Sequence, residues 1–146
     1  MHNTSELATK NETAKLGNYY SSSAGSNSIQ AIYQYFVVTT QQAIAAGLNA
    51  EQIIIDPGLG FGKTPAENLA IMRDLPALTE LGFSVLLGPS RKSFIGHTLD
   101  LPVEERLIGT AACCALGIQS GVDILRVHDV AEINQVRTLC DSILKS

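Results

Sequence analysis

The stretch Ile53-Ile-Ile-Asp-Pro-Gly-Leu-Gly-Phe-Gly-Lys-Thr64 decides the fold of this chain. Its first residues, Ile53–Ile55, are β-branched and apolar, which predicts a short strand buried on both faces of a parallel sheet. The strand ends at Asp56, and a glycine-rich loop leads to Thr64, which forms a capping box with Glu67 at the start of a helix. A carboxylate that follows a buried strand, beside a glycine loop and a helix N-terminus, is typical of a small-molecule site.

The same order of strand, polar loop and helix recurs twice more along the chain. Residues 83–87 predict a strand followed by Gly88-Pro-Ser-Arg-Lys-Ser93, and residues 123–127 predict a strand followed by His128. Helices between consecutive strands indicate an α/β fold with a parallel sheet. Closed barrels and open doubly wound sheets both place their sites at the carboxyl ends of the strands. A complete eight-unit barrel needs about 250 residues, so this chain is too short for one.

Composition limits the classes of function that need to be considered. The 146 residues suffice for one domain at most, with 45% hydrophobic and 16% charged residues and a net charge of −4. An acidic balance argues against nucleic-acid binding and against a basic membrane patch. No apolar run reaches the roughly 18 residues of a membrane span.

The N-terminal part of the chain shows no helical or strand periodicity. It is polar from Asn3 to Asn11, which argues against a signal peptide. Residues 4–27 predict a flexible loop. The cysteines are odd in number and lack the spacing of a metal site, so we expect reduced core thiols in a cytoplasmic protein; they are Cys113, Cys114 and Cys140.

The glycine loop does not have the pattern of a nucleotide site. The phosphate loop of NTPases requires a glycine five residues before Gly62, where Pro57 stands. The third glycine of the dinucleotide fingerprint would fall on Lys63, so that pattern fails as well. We interpret Lys63 as a loop or surface lysine.

Asp56 is the first candidate binding residue. If the preceding strand buries it, its carboxylate needs a partner, and a ligand with an amidine-like edge would supply two N–H donors. The alternative is a turn or capping aspartate.

The loops after the other two strands carry cationic and hydroxyl groups. Ser90, Arg91 and Lys92 follow the second strand, where the alternative is a solvated basic turn, expected for Arg91 more than for Lys92. Arg126 and His128 alternate around one residue and so point to one side, which suits an anionic leaving group. The alternative for His128 is a structural histidine.

Two further expectations concern residues outside these loops. His97 has no cationic neighbour in the sequence and is expected at the surface. Asp129 and Glu132 form a second plausible capping box at the start of the last helix.

Together these motifs resemble those of dihydropteroate synthase, an enzyme family of folate biosynthesis. The resemblance runs from about residue 53 to the C-terminus and more loosely includes Met1-His2. The matching segments are Asp56-Pro-Gly-Leu-Gly-Phe-Gly-Lys63 with Asn68, Gly88-Pro-Ser-Arg-Lys-Ser-Phe-Ile-Gly96, Glu105-Arg106 and Arg126-Val-His-Asp-Val130. The resemblance implies a partial (β/α)8 TIM barrel that contains only the C-terminal strand–helix units. It also implies a transferase that joins 4-aminobenzoate to hydroxymethyl-dihydropterin diphosphate and releases diphosphate.

The resemblance implies the substrate-binding residues Met1, Asp56, Gly60, Phe61, Gly88, Ser90 and Lys92. Asp56 would hold the amino-pyrimidine edge of the pterin, which Lys92 and Met1 would also contact. Ser90 and Phe61 would lie beside the aminobenzoate, and the two glycines would give access to the backbone. Arg126 and His128 would bind the leaving diphosphate and, with Lys92, form the catalytic set.

The N-terminal half of the family pattern is absent from this sequence. That half carries the segments Asn-Val-Thr-Pro-Asp-Ser-Phe and Gly-Glu-Ser-Thr-Arg-Pro, and it supplies the ligand of the Mg²⁺ cofactor. We therefore expect no metal ligand in this chain and no turnover by the chain alone. The inner face of a half-barrel would be an exposed apolar patch, which suggests a complementing N-terminal half or a homodimer as partner.

Two other functions remain open at this point. A pterin-binding methyltransferase shares the barrel and an aspartate at the pterin, but methyl transfer releases no diphosphate, so the basic motifs favour the synthase. A half-barrel that binds pterin or a partner chain without catalysis is the non-enzymatic alternative.

Overall fold

The computed structural model describes residues 28–146. The expectations for Met1, for His2 and for residues 4–27 lie outside the described residues. The helices and strands in chain order are α1 (Ser28–Ala45), β1 (Ile54–Ile55), α2 (Pro65–Arg73), α3 (Pro76–Thr79), β2 (Ser84–Leu87), α4 (Ser93–Leu99), α5 (Leu107–Gln119), β3 (Ile124–Leu125) and α6 (Val130–Leu144), with 3₁₀ turns at Ala50–Gln52 and Val103–Glu105. Between residues 28 and 146, the structure contains no helix with the length and apolar character needed to cross a membrane.

The strands form a parallel sheet in the order β1-β2-β3. Ile54 lies opposite Ser84, and Leu86 lies opposite Ile124. Helices connect each strand to the next, which confirms the predicted alternation of strands and helices. The strands lie side by side in the same order as in the chain, as they do in the wall of a barrel. A doubly wound sheet would instead reverse the strand order at its switch point.

Helices cover one face of this sheet. The side chains of Ile55, Val85 and Leu87 point to that face and are buried. They pack in one core with apolar residues of the helices and loops, including Ile32, Phe36, Ile71, Met72, Leu75, Leu78, Phe94 and Ile95. Apolar residues of the helices therefore cover the outer face of the strands.

The opposite face of the sheet is open within the described residues. Ile54 is 53% exposed, and Ser84, Leu86 and Ile124 are only partly buried. The prediction that the first strand is buried on both faces is therefore wrong for this chain. Side chains alternate between the faces of a strand, and the helices described here cover only one of them.

The start of α2 follows the sequence prediction. Thr64 Oγ1 accepts a hydrogen bond from the Glu67 N–H at 3.2 Å, and the Glu67 carboxylate accepts from the Thr64 N–H at 2.7 Å. Pro65 occupies the first helical position, where its missing N–H costs nothing. This capping box fixes where the glycine loop ends and so sets the length of the loop beside the site.

The third strand is shorter than predicted. Only Ile124–Leu125 pair as a strand, flanked by hydrogen bonds from the Asp123 N–H to Val85 O at 3.1 Å and from the Arg126 N–H to Leu87 O at 2.9 Å. The Asp123 carboxylate also accepts from the Val85 N–H at 2.8 Å. These bonds align the end of β3 with that of β2 and bring the two following loops to the same edge of the sheet.

Candidate functional site

Asp56 and Arg126 meet at the carboxyl end of the sheet. Asp56 Oδ1 accepts a hydrogen bond from the Gly58 N–H at 2.7 Å, and its Oδ2 lies 3.9 Å from the Arg126 guanidinium. The two side chains are 38% and 50% exposed, respectively. The expectation of a buried Asp56 is wrong, because Asp56 follows Ile54 on the face that the helices leave open. Its carboxylate is therefore oriented by the loop backbone and accessible to a ligand.

Lys92 and Phe61 form the next part of the site. The Lys92 ammonium lies 4.2 Å from the centroid of the Phe61 ring, which is the geometry of a cation–π contact. Burial lowers the pKa of Lys92, Arg126 lowers it further, and Asp56 opposes both effects. The aspartate, the lysine and the arginine thus share one electrostatic environment, as expected if they act on one ligand.

The glycine loop is held in shape by Lys63. Its ammonium donates hydrogen bonds to Gly58 O at 2.9 Å and to Phe61 O at 3.2 Å. Burial lowers the pKa of Lys63, and the nearby carboxylates of Asp56 and Glu67 partly offset this effect. These contacts agree with our interpretation of Lys63 as a loop lysine.

Asn68 is a second support of the loop, and sequence reasoning gave it no role. It is 1% exposed; its Oδ1 accepts from the Gly60 N–H at 2.7 Å, and its Nδ2 donates to Thr64 O at 2.8 Å. Gly60 has a φ of +81°, and a Cβ there would lie 3.0 Å from Lys92 Cδ. Asn68 therefore fixes the loop in a conformation in which the backbone and Lys92 approach closely.

Ser90 and His128 join the loop after β2 to the loop after β3. The distance from Ser90 Oγ to His128 Nδ1 is 2.7 Å, and the His128 N–H donates to Ser90 Oγ at 3.1 Å. Ser90 is 6% exposed, whereas His128 is exposed. The two diphosphate candidates thus have separate partners, Asp56 for Arg126 and Ser90 for His128. Gly88 is buried and faces the Arg126 guanidinium.

Arg91 is not a solvated residue of a basic turn. Its Nε and Nη2 donate to the two carboxylate oxygens of Asp129 at 2.9 and 2.6 Å, and its Nη1 donates to Val103 O and Glu104 O. The Arg91 guanidinium lowers the pKa of Asp129. The predicted capping box of Asp129 with Glu132 is wrong as well, because no side-chain cap bond forms and the carboxylate turns toward Arg91.

Arg106 and Thr110 complete the support of the loop after β2. Arg106 donates to Leu101 O at 3.1 Å and to Arg91 O at 3.2 Å, and Thr110 Oγ1 accepts from the Arg91 N–H at 2.9 Å. Arg91 has a φ of 53°, so this backbone needs such support. Arg106 lies in a segment that resembles the family, but its contacts with the loop could not be predicted from the sequence. Nothing in the sequence distinguished Thr110.

The remaining candidates lie away from the strand ends. His97 is exposed, as predicted. The free thiols include Cys113 and Cys114, where burial raises the pKa to about 11 and about 12, respectively. Such thiols are poor nucleophiles at neutral pH.

The described residues do not gather a metal site of their own. Between residues 28 and 146, the structure contains no cluster of at least three His, Cys, Asp or Glu side chains suited to holding a metal ion. These residues by themselves do not fit the Mg²⁺ that the resemblance implies.

Parallel strand–helix units with a carboxylate, a lysine and an arginine at the strand ends are the features to compare with known protein families. Residues 5–128 match the family of pterin binding enzymes, and the chain belongs to that family. Within it, the relatives of this chain include dihydropteroate synthases. That of Bacillus subtilis is 52% identical over 102 residues, which cover 70% of this chain and 36% of the relative.

Solved structures of dihydropteroate synthases share the fold. The dihydropteroate synthase of Clostridium difficile, solved in the presence of pteroic acid, is 42% identical with a TM-score of 0.78, covering 82% of this chain and 45% of that one. That of Coxiella burnetii in complex with pteroic acid is 33% identical with a TM-score of 0.79, covering 84% and 46%. These matches confirm the resemblance and the partial TIM barrel. The chain spans little more than a third of the Bacillus subtilis relative and under half of these two solved chains.

Proposed function

We propose that this chain forms the pterin- and diphosphate-binding part of a dihydropteroate synthase, which condenses 4-aminobenzoate with hydroxymethyl-dihydropterin diphosphate. The observation that carries the proposal is the convergence of Asp56, Lys92 and Arg126 at one edge of the sheet, each from a different strand-end loop. Both solved relatives described above hold or were crystallised with pteroic acid, a pterin joined through a methylene to aminobenzoate.

Asp56 recognises the pterin in this proposal. Its carboxylate is oriented by the Gly58 N–H and remains accessible. A carboxylate in this state accepts two parallel hydrogen bonds from an amino-pyrimidine edge, which is planar and presents two N–H donors. Lys92, from the loop after β2, places its ammonium against the ring of Phe61 in the glycine loop. In this proposal the ligand lies on that side of the glycine loop.

Diphosphate leaves toward the basic groups. As the C–O bond of the pterin methylene breaks, its electron pair stays on the departing oxygen, and positive charge develops on the carbon. The guanidinium of Arg126 and the ring N–H of His128 stabilise the departing oxygens. The aminobenzoate nitrogen then forms the C–N bond and releases a proton, while Phe61 and Ser90 border the space that it occupies. The attack needs no protein nucleophile because the amine itself supplies the electron pair.

The Mg²⁺ cofactor and the missing barrel strands belong to the same proposal. Part of the support is the open face of the sheet, where Ile54 is 53% exposed beside Leu86 and Ile124. We propose that a complementing N-terminal half covers this face and supplies the metal ligand, and that the chain alone does not turn over.

A homodimer is the second partner that we propose. It would use the apolar groove of about 250 Å³ between α5 and α6, which is lined by Ala115, Leu116, Gln119, Cys140, Ile143 and Leu144.

We also propose a cytoplasmic location, which the free thiols at all three cysteines support.

The methyltransferase alternative is not favoured, because the relatives are named dihydropteroate synthases. The non-catalytic half-barrel is an outcome of the experiment below.

The test is calorimetric titration of pteroic acid into the chain, alone and mixed with the part of the Bacillus subtilis synthase that this chain does not match. A turnover assay of the mixture with 4-aminobenzoate and the pterin diphosphate accompanies it. Asp56→Asn removes the charged acceptor and is expected to weaken binding roughly tenfold or more. Asp141→Asn, a partly buried carboxylate paired with Arg137 on α6, is the control and should bind like the wild type.

Each outcome decides between the alternatives. Binding lost in Asp56→Asn, with turnover in the mixture, supports the synthase. Binding without turnover in the mixture supports the non-catalytic half-barrel. Absence of binding in both samples contradicts the proposal.

A further inference from the structure

The contact between Ser90 and His128 determines which ring nitrogen carries the proton. The hydroxyl of Ser90 has one hydrogen to donate and two lone pairs to accept. One lone pair takes the His128 N–H at 3.1 Å, and the ring nitrogen Nδ1 lies 2.7 Å away. Both contacts come from the same histidine, one from its backbone and one from its ring.

The hydroxyl hydrogen has one destination among the described residues. Ser90 is 6% exposed, and within residues 28–146 its side chain has no other hydrogen-bond partner. A buried donor without an acceptor costs free energy, so the hydroxyl donates to Nδ1. In the neutral ring, Nδ1 is then the acceptor, and Nε2 carries the hydrogen.

The neighbouring residues hold this pair in place. Arg91 and Asp129 follow Ser90 and His128 directly in the chain and form a two-bond ion pair at 2.9 and 2.6 Å. Thr110 Oγ1 accepts from the Arg91 N–H at 2.9 Å. The two loops are therefore joined at consecutive positions, which holds the backbones of Ser90 and His128 beside each other.

We propose that Ser90 is a positioning residue that locks His128 in the Nε2–H form, with that N–H presented to the oxygens of a bound diphosphate. The exposed ring of His128 leaves Nε2 free to reach an anion. The second clause rests on the proposed function, whereas the tautomer is a property of the chain itself. Ser90 thus acts through His128, in addition to bordering the aminobenzoate.

The first test reads the tautomer without any ligand. Long-range ¹H–¹⁵N spectra of the labelled chain at about pH 8, where histidine rings are neutral, are expected to show His128 with a protonated Nε2 and an unprotonated Nδ1. His97, exposed on α4, is the internal control and should show the average of two exchanging forms. Protonated Nδ1 in His128, or a His128 pattern equal to that of His97, would overturn the proposal.

The second test asks whether Ser90 acts through His128. Inorganic pyrophosphate is titrated into the wild type, Ser90→Ala, Ser90→Thr, His128→Ala and the double variant Ser90→Ala/His128→Ala. Loss of one orienting hydrogen bond is expected to weaken binding roughly three- to tenfold in Ser90→Ala. Ser90→Thr keeps the hydroxyl and should recover most of that loss. In the His128→Ala background, the Ser90 substitution should have no further effect.

The outcomes separate this inference from the proposed function. An equal loss from Ser90→Ala in both backgrounds would contradict the inference, since Ser90 would then act by itself. If pyrophosphate binds to none of the variants, the diphosphate role fails while the spectra still decide the tautomer. If Ser90→Ala does not fold, the wild-type spectrum and Ser90→Thr decide it.

Discussion

Gly88 lies against the guanidinium of Arg126. A Cβ on Gly88 would stand 2.7 Å from Arg126 Nη2, closer than Cβ atoms approach other heavy atoms, and 3.1 Å from its Cζ. The glycine at the end of β2 therefore makes room for a cation that comes from the end of β3. The pairing of the two strands, with Leu87 opposite Leu125, brings the residues together.

Gly88→Ala should therefore displace the arginine more than it disturbs the fold. The clash falls on the far end of a flexible side chain, so we expect the free energy of unfolding to change by less than about 1 kcal/mol. Pyrophosphate affinity should fall because the guanidinium leaves its place beside Asp56. In an Arg126→Ala background, the same substitution should lower the affinity no further, and an equal loss in both backgrounds would contradict this explanation.

The pKa of Lys92 should report on its two charged neighbours. Arg126→Ala removes a repelling cation and should raise this pKa, whereas Asp56→Asn removes an attracting anion and should lower it. NMR titration of the lysine ε-carbon resonances measures both shifts. Arg137→Ala on α6 is the control and should leave the pKa unchanged; shifts in the opposite directions would show that the three groups do not share one site.

Asn68→Leu should destabilise the glycine loop. It removes the acceptor of the Gly60 N–H and the donor to Thr64 O, at an expected cost of about 1–3 kcal/mol in urea denaturation. Asn134→Leu, an exposed position on α6, is the matched control and should change stability by less than about 0.5 kcal/mol. Equal effects of the two substitutions would rule out the assigned role of Asn68.

The Arg91–Asp129 pair should make the stability of the chain depend on acidity. Asp129 has a lowered pKa in the folded state, so its contribution is complete above the ordinary aspartate value of about 3.9 and is lost as the pH falls through the lower folded value. Asp129→Asn should reduce stability at neutral pH and flatten the profile in this acid range. Arg91→Ala should flatten it too, and a wild-type acid profile in Asp129→Asn would contradict the prediction.

Cys113 and Cys114 should resist alkylation in the folded chain. Burial raises their pKa values to about 11 and about 12, so little thiolate is present at about pH 8. Iodoacetamide labelling followed by mass spectrometry should be at least about tenfold slower at these positions in buffer than in denaturant. Equal rates in the two conditions would show that the α5 thiols are not buried in solution.

Much of the local structure could be predicted from short segments. The capping box of Thr64 and Glu67 was predicted because both partners lie within one helical turn. The strand-end position of Asp56 followed from the change between an apolar run and a glycine loop. The family could be recognised for the same reason, since each motif is continuous in the sequence.

The errors concern contacts between distant segments. From the sequence we expected a solvated Arg91 and an Asp129 that caps a helix, whereas the structure pairs the two side chains across 38 positions. The burial of Asp56 was inferred from the strand before it, although the accessibility of a side chain depends on what covers that face of the sheet.

The sequence by itself determined the order of strands and helices, the cap of α2, the set of candidate residues and the family, because hydrophobic periodicity and contiguous motifs are local properties. Only the tertiary structure decided that Ile54 and Asp56 lie on an open face, that Gly88 accommodates Arg126 and that Ser90 contacts the ring of His128. These relationships depend on the parallel register of β1, β2 and β3, which aligns the ends of strands that lie far apart in the chain.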